Sequence, residues 1–299
     1  MKVAAVIVTF NGINYLKQCL QAVKSQTRPL EEIIVVNNSS TDGTTEWLNQ
    51  QDKIHHILQP NGGSSGGQYT GIKTAFEGEC DWVWCLDQDI IPKADALEKL
   101  LNSEEAGLEK IGFISSLVLD NKNNISYINV PFIRDFKEVL GSISKNKNLP
   151  IISSSFGSVL FSKRAIEKAG YPFKKLFIWG DDVEYTMRIV QNGFIGCLVL
   201  SSIVVHDQKE NKKFPFPSMN MRDKKTKYAI RNTFFTIRYR NETLYNSKIR
   251  GILGCLNFLF ILLKKRAKYK GRFELSYFFF ALSSLLASVF LPIIKKRYD

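Results

Sequence analysis

The chain opens on a near-continuous apolar run, Val3–Thr9, as expected of a parallel strand buried on both faces. Leu16, Leu20 and Val23 then recur at helical spacing within Tyr15–Ser25. Glu32–Asn37 (EIIVVN) is a second buried strand, and Thr41–Asp52 a helix with a polar start. A third strand at Ile54–Leu58, a helix at Gly67–Phe76 and a fourth strand at Trp82–Leu86 follow. This alternation predicts an α/β fold, a mostly parallel central sheet flanked by helices. Ligands in such sheets bind beyond the C-terminal ends of the strands. The polar clusters of the first 90 residues all fall there.

Residues 111–120 and 156–162 read as further strands, and Asn121–Asn148, rich in Asn, Lys and Ser, as variable surface structure. Ala165–Gly170 is a short helix and Asp181–Asn192 a longer one. Ile195–Val205 is a strand that ends at His206. Residues 209–221 are basic and contain Pro215 and Pro217, a connector before a helix at Asp223–Arg240. Ile249–Leu263 is mostly apolar, Lys264–Arg272 holds six basic residues, and Leu275–Ile294 is apolar again, closed by Lys295-Lys296-Arg297. The expected organisation is a catalytic domain over 1–208, a basic connector and helix over 209–248, and a helical membrane-associating tail over 249–299. A span needs about 20 apolar residues. The second run only just reaches that, and Ser276, Ser283, Ser284 and Ser288 weaken it. Two helices lying in the membrane surface are therefore expected. One C-terminal span, a buried helical hairpin, or an interface of a homo-oligomer such as a dimer are the alternatives.

Charge sharpens this picture. The 299 residues carry a formal net charge of +13. Residues 207–299 hold 21 Lys or Arg against 6 Asp or Glu, whereas residues 1–206 hold 20 against 22. A nucleic-acid binder spreads its cations over a recognition fold. Here they flank apolar runs, which points to an anionic membrane surface and away from nucleic acid. The five cysteines form no CxxC pair, and Cys19, Cys85 and Cys197 fall in apolar patterns as reduced core residues. No signal-peptide pattern precedes the first strand. The expected location is the cytoplasmic face of the cell membrane.

The candidate chemistry begins with Asp87-Gln88-Asp89, at the end of the fourth strand. Two carboxylates there suit a ribose–diphosphate–metal cluster, and their hard oxygens suit Mn²⁺ or Mg²⁺. His206 ends a strand of the same sheet and is a candidate ligand. Trp179-Gly180-Asp181-Asp182 opens a helix. One aspartate would serve as an ordinary cap, worth up to about 2 kcal/mol. A second beside it is a candidate general base, its basicity raised by like-charge crowding. Pro60–Gly67, containing Asn61, Gly62, Gly63 and Gly66, follows a strand and opens a helix, so its backbone amides would meet an anion. It has neither GxGxxG order nor a P-loop ending.

In this order the residues resemble the family 2 inverting glycosyltransferases of GT-A (nucleotide-diphospho-sugar transferase) fold, over roughly residues 3–206. Val6–Asn11 resembles that family's opening strand and Val35–Thr44 its nucleoside-binding segment. The resemblance implies that Thr9, Phe10, Asn11 and Asn37 hold the nucleoside and that Asp87 faces ribose or metal. It implies Asp89 and His206 as metal ligands. Asp182, or alternatively Asp181, would deprotonate the acceptor hydroxyl, with Trp179 at the sugar and acceptor. Asn37 stands where the family often has Asp, which loosens base preference. The 61–67 loop, Asp81-Trp82-Val83-Trp84 and Trp179–Asp182 are most similar to galactofuranosyltransferases using UDP-galactofuranose. Leu86–Asp89 is similar to rhamnosyltransferases using dTDP-rhamnose. Tyr228 and Arg231-Asn232 recur in both groups, with Arg231 placed at an acceptor phosphate. The implied acceptor is a lipid-linked glycan in cell-surface polysaccharide (capsule, O-antigen or cell wall) assembly. A non-catalytic membrane scaffold on the same fold is the contrasting reading.

Overall fold

The computed structural model describes residues 1–207 and 220–293. The connector expected over 209–221 lies almost wholly outside them, as does the terminal Lys295-Lys296-Arg297. The first half alternates as its apolar runs require: β1 (Val3–Thr9), α1 (Ile13–Lys24), β2 (Glu32–Asn37), α2 (Thr44–Leu48), β3 (His55–Leu58), α3 (Gly63–Glu77) and β4 (Trp82–Asp87). There follow β5 (Ile90–Pro92), α4 (Ala96–Leu101), β6 (Ile111–Asp120), α5 (Phe136–Ile143), β7 (Leu149–Ile151), β8 (Val159–Ser162) and α6 (Lys163–Ala169). The chain continues through α7 (Asp181–Gln191), β9 (Ile195–His206), α8 (Lys224–Leu244), α9 (Lys248–Lys270) and α10 (Leu275–Val289).

The strands form one sheet in the order β3-β2-β1-β4-β8-β6-β9-β5, with β7 also on β9. β1 lies parallel between β2 and β4, so Thr9 faces Asn37 and Val8 faces Asp87. Most of the paired length is parallel. The antiparallel pairs are those made by β8, β5 and β7. Alternate residues of β1 point to opposite faces, and both faces are covered. Val3, Ala5 and Ile7 pack with Leu16, Cys19, Leu20 and Val23 of α1. Ala4, Val6 and Val8 pack with Ile72 and Ala75 of α3. All five cysteines are buried and free.

Helix α3 starts at Gly63, four residues before the sequence pattern suggests. Its glycines, poor helix formers, are the condition for its seat on the sheet. A Cβ on Gly67 or Gly71 would collide with Val8 or Val6. Strand β5 is invisible in the sequence because it is only three residues long and pairs with β9. That pairing sets Ile90 opposite His206.

Helices α8, α9 and α10 form a layer of their own. α9 buries Gly251, Cys255, Leu262 and Arg266, and α10 buries Tyr277, Ala281, Ser284 and Ser288. The Arg238 guanidinium of α8 donates to the carbonyls of Ser288 and Val289 at 3.0 Å each, and to that of Leu291. It thereby satisfies the last turn of α10. No helix among the described residues is long and apolar enough to cross a membrane, which corrects the alternative of a C-terminal span. With 15 residues, α10 is about 22 Å long against a hydrocarbon core of roughly 30 Å. It stops at Val289, shortly before Pro292, rather than running on to Ile294.

An ion pair holds α7 in the core. Arg188 donates from Nε to Glu184 Oε1 at 2.8 Å and from Nη2 to Oε2 at 3.1 Å. It also donates to the carbonyls of Ala169 and Tyr171. Both side chains are fully buried. Glu184→Ala leaves a buried cation without its counter-charge and should cost about 3–5 kcal/mol. Urea unfolding of the variant against the parent measures this.

Candidate functional site

A cavity of about 400 Å³ opens at the C-terminal edge of the sheet, lined among others by Thr9, Phe10, Asn61, Gly63, Asp87, Asp89, Trp179, Asp181, Asp182 and His206. Residues from the ends of three strands and the start of α7 thus converge. A larger hollow of about 810 Å³ lies elsewhere, around Arg28, Glu32 and His55. It holds none of the motif residues.

Asp87 ends β4, and Asp89 lies in the turn before β5. The return of β5 along β9 carries Asp89 to His206, with Nε2 and Oδ2 3.2 Å apart. The backbone closes the same junction, as Asp207 N–H donates to Asp89 O at 2.8 Å. The intervening Gln88 latches the neighbouring strand end. It accepts the Thr9 hydroxyl at 2.5 Å and the Phe10 N–H at 3.0 Å.

These acids are crowded, with Asp181 buried and Asp87, Asp89 and Asp182 half-buried. Burial pushes the Asp87 carboxyl up to about 7, with the Asp89 charge adding to it. Burial pushes Asp182 up to about 6, against backbone hydrogen bonds from Val183 and its neighbours. Asp181 is raised well above the usual carboxylate range by burial and by Asp182. The Asp181 Oδ2 is buried without a partner. Burial alone would lower the His206 pKa, but the hydrogen bond and charge of Asp89, with Asp87 and Asp207, raise it.

Among the described residues no group of three or more His, Cys, Asp or Glu side chains is arranged to hold a metal ion. The expected triad of Asp87, Asp89 and His206 is therefore not closed. Asp89 and His206 pair, while Asp87, one strand end away across the turn, acts on them through its charge. The donor chemistry nevertheless suits a divalent cation. Carboxylate oxygens and an imidazole nitrogen meet in a cluster with an excess of negative charge and an orphaned carboxylate oxygen.

Asp181 and Asp182 sit in the first turn of α7, where the helix dipole favours anions. The loop before them is strained. Phe177 has φ 65° and ψ −60°, and Ile178 N–H donates to Leu176 O at 2.8 Å. This is a γ-turn of the rare positive-φ kind. Trp179 follows at φ 69°. Helix α8 holds this loop down. The Asn232 amide donates to the carbonyls of Leu176, Ile178 and Trp179 at 2.8, 2.8 and 2.9 Å. Tyr228 stacks on Phe177 with ring centroids 4.7 Å apart. From the other side, Ser65 N–H of α3 donates to Phe177 O at 3.1 Å. Gly63, at φ 71°, leaves room for that carbonyl, which a Cβ would strike.

Several expected residues stand outside the cavity. Arg231 does not reach it, because its guanidinium is spent on the carbonyls of Lys175 and Leu176 and on Asn232 Oδ1. Asn37 is buried, donating to Thr45 Oγ1 and accepting from Ser40 N–H, both at 2.9 Å. Asn11 braces the same loop, accepting Thr41 N–H at 2.7 Å. Gly62 and Gly66 pack against each other at the start of α3. Asn61 lines the cavity, but its Oδ1 accepts the Gly63 N–H at 2.9 Å. Two amides expected to meet an anion, those of Gly63 and Ser65, thus already have protein partners. Conversely, Asn38, Ser64, Gln88, Asn129, Ser155, Phe177 and Lys225 also line the cavity. Of these, Asn38, Ser64 and Gln88 fall within segments that the sequence singles out, whereas Asn129, Ser155 and Lys225 fall in none. Lys225 is the one Lys or Arg in that lining among the described residues.

Comparison with known proteins agrees with the geometry. The model of the family described as glycosyl transferase family 2 matches residues 4–167. The galactofuranosyltransferase GlfT1 of Mycolicibacterium smegmatis is 29% identical over 263 residues, 84% of this chain and 85% of that protein. The protein of that name from Mycobacterium tuberculosis is 27% identical over 286 residues, covering 91% and 92%. Among solved structures, S. aureus TarS 1-349 in complex with UDP aligns with a TM-score of 0.59 at 13% identity, over 97% of this chain and 81% of that one. GalNAc-T7 with UDP, GalNAc and Mn²⁺ aligns at 0.57 and 14%, over 96% and 57%. At these identities the likeness to the solved structures is one of fold, and the fold is the GT-A type expected from the motifs.

Asn232→Ala removes the amide that bridges three carbonyls, of which Leu176 O keeps other donors, and should cost about 1–3 kcal/mol in urea unfolding. It should also speed hydrogen exchange at Ile178 more than at the strands, as mass spectrometry of peptides covering 175–182 would show.

Proposed function

The chain belongs to glycosyl transferase family 2, and on that footing we propose that it transfers one sugar from a nucleotide-diphosphate donor to an acceptor hydroxyl with inversion at the anomeric carbon. The observation that carries the reading is the convergence of Asp87, Asp89, Asp181, Asp182 and His206 on one cavity at the strand ends. In a single displacement the acceptor oxygen bonds to the anomeric carbon as the bond to the diphosphate breaks. The acceptor proton passes to a carboxylate.

Asp182 is the base in this reading. It lines the cavity, and a pKa near 6 leaves it ionised yet basic at neutral pH. Asp181 is buried and held protonated to higher pH, which suits it to donate a hydrogen bond rather than to accept a proton. A Mn²⁺ or Mg²⁺ ion held by Asp89 and His206, with Asp87 beside them, would offset the charge of the leaving diphosphate. Thr9, Phe10 and Asn61 would flank the nucleotide, while Asn11 and Asn37 would shape the loop against which it lies.

UDP-galactofuranose is the proposed donor. The support is the extent of likeness to the two mycobacterial proteins named galactofuranosyltransferase, which runs over most of both chains. dTDP-rhamnose is the competing donor, on the strength of Leu86–Asp89. A thermal-shift panel of UDP-, dTDP- and GDP-sugars separates them, because a ligand at 100 times its Kd adds about 2.7 kcal/mol of apparent stability. UDP-galactofuranose should give the largest rise. No rise with any nucleotide sugar would sink the reading.

A lipid-linked glycan acceptor, met on the cytoplasmic membrane face, fits the surface. Most exposed large hydrophobic side chains fall in two stretches, residues 125–143 and 249–290. α9 exposes Ile249, Ile252, Leu253, Leu256 and Phe260 and ends in Lys264, Lys265 and Lys268. α10 hides Ser284 and Ser288 while exposing Phe279, Leu286 and Val289. Such inverted polarity beside cations suits an anionic lipid surface. A second copy of the chain seated there would bring like charges together.

Asp182→Asn should lower kcat by about 10²–10⁴ with donor binding kept, whereas a non-catalytic scaffold would register no change. In the parent, kcat/KM should fall roughly tenfold per pH unit below pH 6 and level off above it. The base must be unprotonated, and burial has raised the pH at which it becomes so. In flotation assays the protein should rise with phosphatidylglycerol-containing vesicles, remain behind with neutral ones, and lose binding with Leu256→Glu/Phe260→Glu.

A further inference from the structure

Asn129 belongs to no motif in the sequence, yet it touches the imidazole at the centre of the site. Its Oδ1 lies 2.8 Å from His206 Nδ1. The amide is held at both ends. Its Nδ2 donates to Ser155 Oγ at 2.8 Å, and Oδ1 also accepts the hydroxyl of the fully buried Ser126 at 2.6 Å. Gly157 lies close behind, where a Cβ would stand 2.7 Å from Nδ2. The amide has neither a free rotor nor spare room.

An imidazole that binds a metal must be neutral, with the lone pair of one nitrogen on the ion and a proton on the other. We infer that Asn129 is the positioning residue that makes this choice for His206. Its carbonyl oxygen takes the proton on Nδ1 and leaves Nε2, which faces Asp89 at 3.2 Å, for a divalent cation. The inference rests on the divalent-cation reading above and adds to it the residue that orients the ligand. The turn at 127–129 precedes α5 in chain order. The segment expected to be variable surface therefore supplies part of the site.

The test is Mn²⁺ titration of the full chain, followed by the electron paramagnetic resonance signal of free Mn²⁺, alone and with UDP. Asn129→Leu keeps the branched shape and removes the acceptor, and should weaken Mn²⁺ binding 10- to 100-fold. Asn129→Asp keeps an oxygen on Nδ1 and should bind within about threefold of the parent, a rescue that a packing role would not produce. Asn129→Ala serves in place of the leucine variant if that does not fold. Equal binding by parent and Asn129→Leu, or equal loss in the Asp and Leu variants, would overturn the inference and leave the metal reading standing. A parent that binds no Mn²⁺ in either condition overturns both.

Discussion

Four carboxylates share one half-buried rim with a single imidazole, and like charges brought together repel more strongly as water is partly excluded. The fold must hold them together against that repulsion. Asp87, Asp89 and His206 are held by strand ends whose neighbours in the sheet leave no freedom: β4 beside β1, and β5 beside β9. Burial raises the pKa values of Asp87, Asp181 and Asp182, and a neighbouring aspartate's charge adds to it at Asp87 and Asp181. On the proposed reading, the same gathering of carboxylates is what a divalent cation would neutralise.

Asp181 and Asp182 are held differently. They open α7 at the end of a loop whose backbone at Phe177 and Trp179 is unfavourable for residues with a side chain. Strain of that kind persists only where the surroundings over-determine it. Here the surroundings are α3 on one side and α8 on the other. Ser65 and Gly63 receive the Phe177 carbonyl, and Asn232, Arg231 and Tyr228 occupy the rest. A helix after the sheet is thereby bound into the geometry of the aspartates. Arg231, which the family resemblance places at an acceptor phosphate, donates here to the carbonyls of Lys175 and Leu176.

The layer of α8, α9 and α10 consequently faces two ways. Its inner side clamps the aspartate loop, and its outer side presents apolar residues flanked by lysines. The surface proposed to meet lipid is thus built on the same helices that steady the acidic site.

Local pattern determined much of this protein. The apolar runs of β1, β2 and β4 could only be strands buried on both faces. The order of Asp87, Asp89, Asp181, Asp182 and His206 along those elements identified the family, because residue type and position relative to a strand end are local properties. What the tertiary structure alone decided concerns partners distant in sequence. β5 is too short to show a period, and its pairing with β9 is what carries Asp89 to His206. Asn129, Asn232 and Gln88 are single amides, and nothing near them in the chain tells which carbonyl or imidazole each will meet. Arg231 and Asn37 were chemically fit for ligands, but backbone and side-chain groups brought close by folding took them first. A hydrogen-bonding side chain has few valences, and only three-dimensional proximity settles how they are filled.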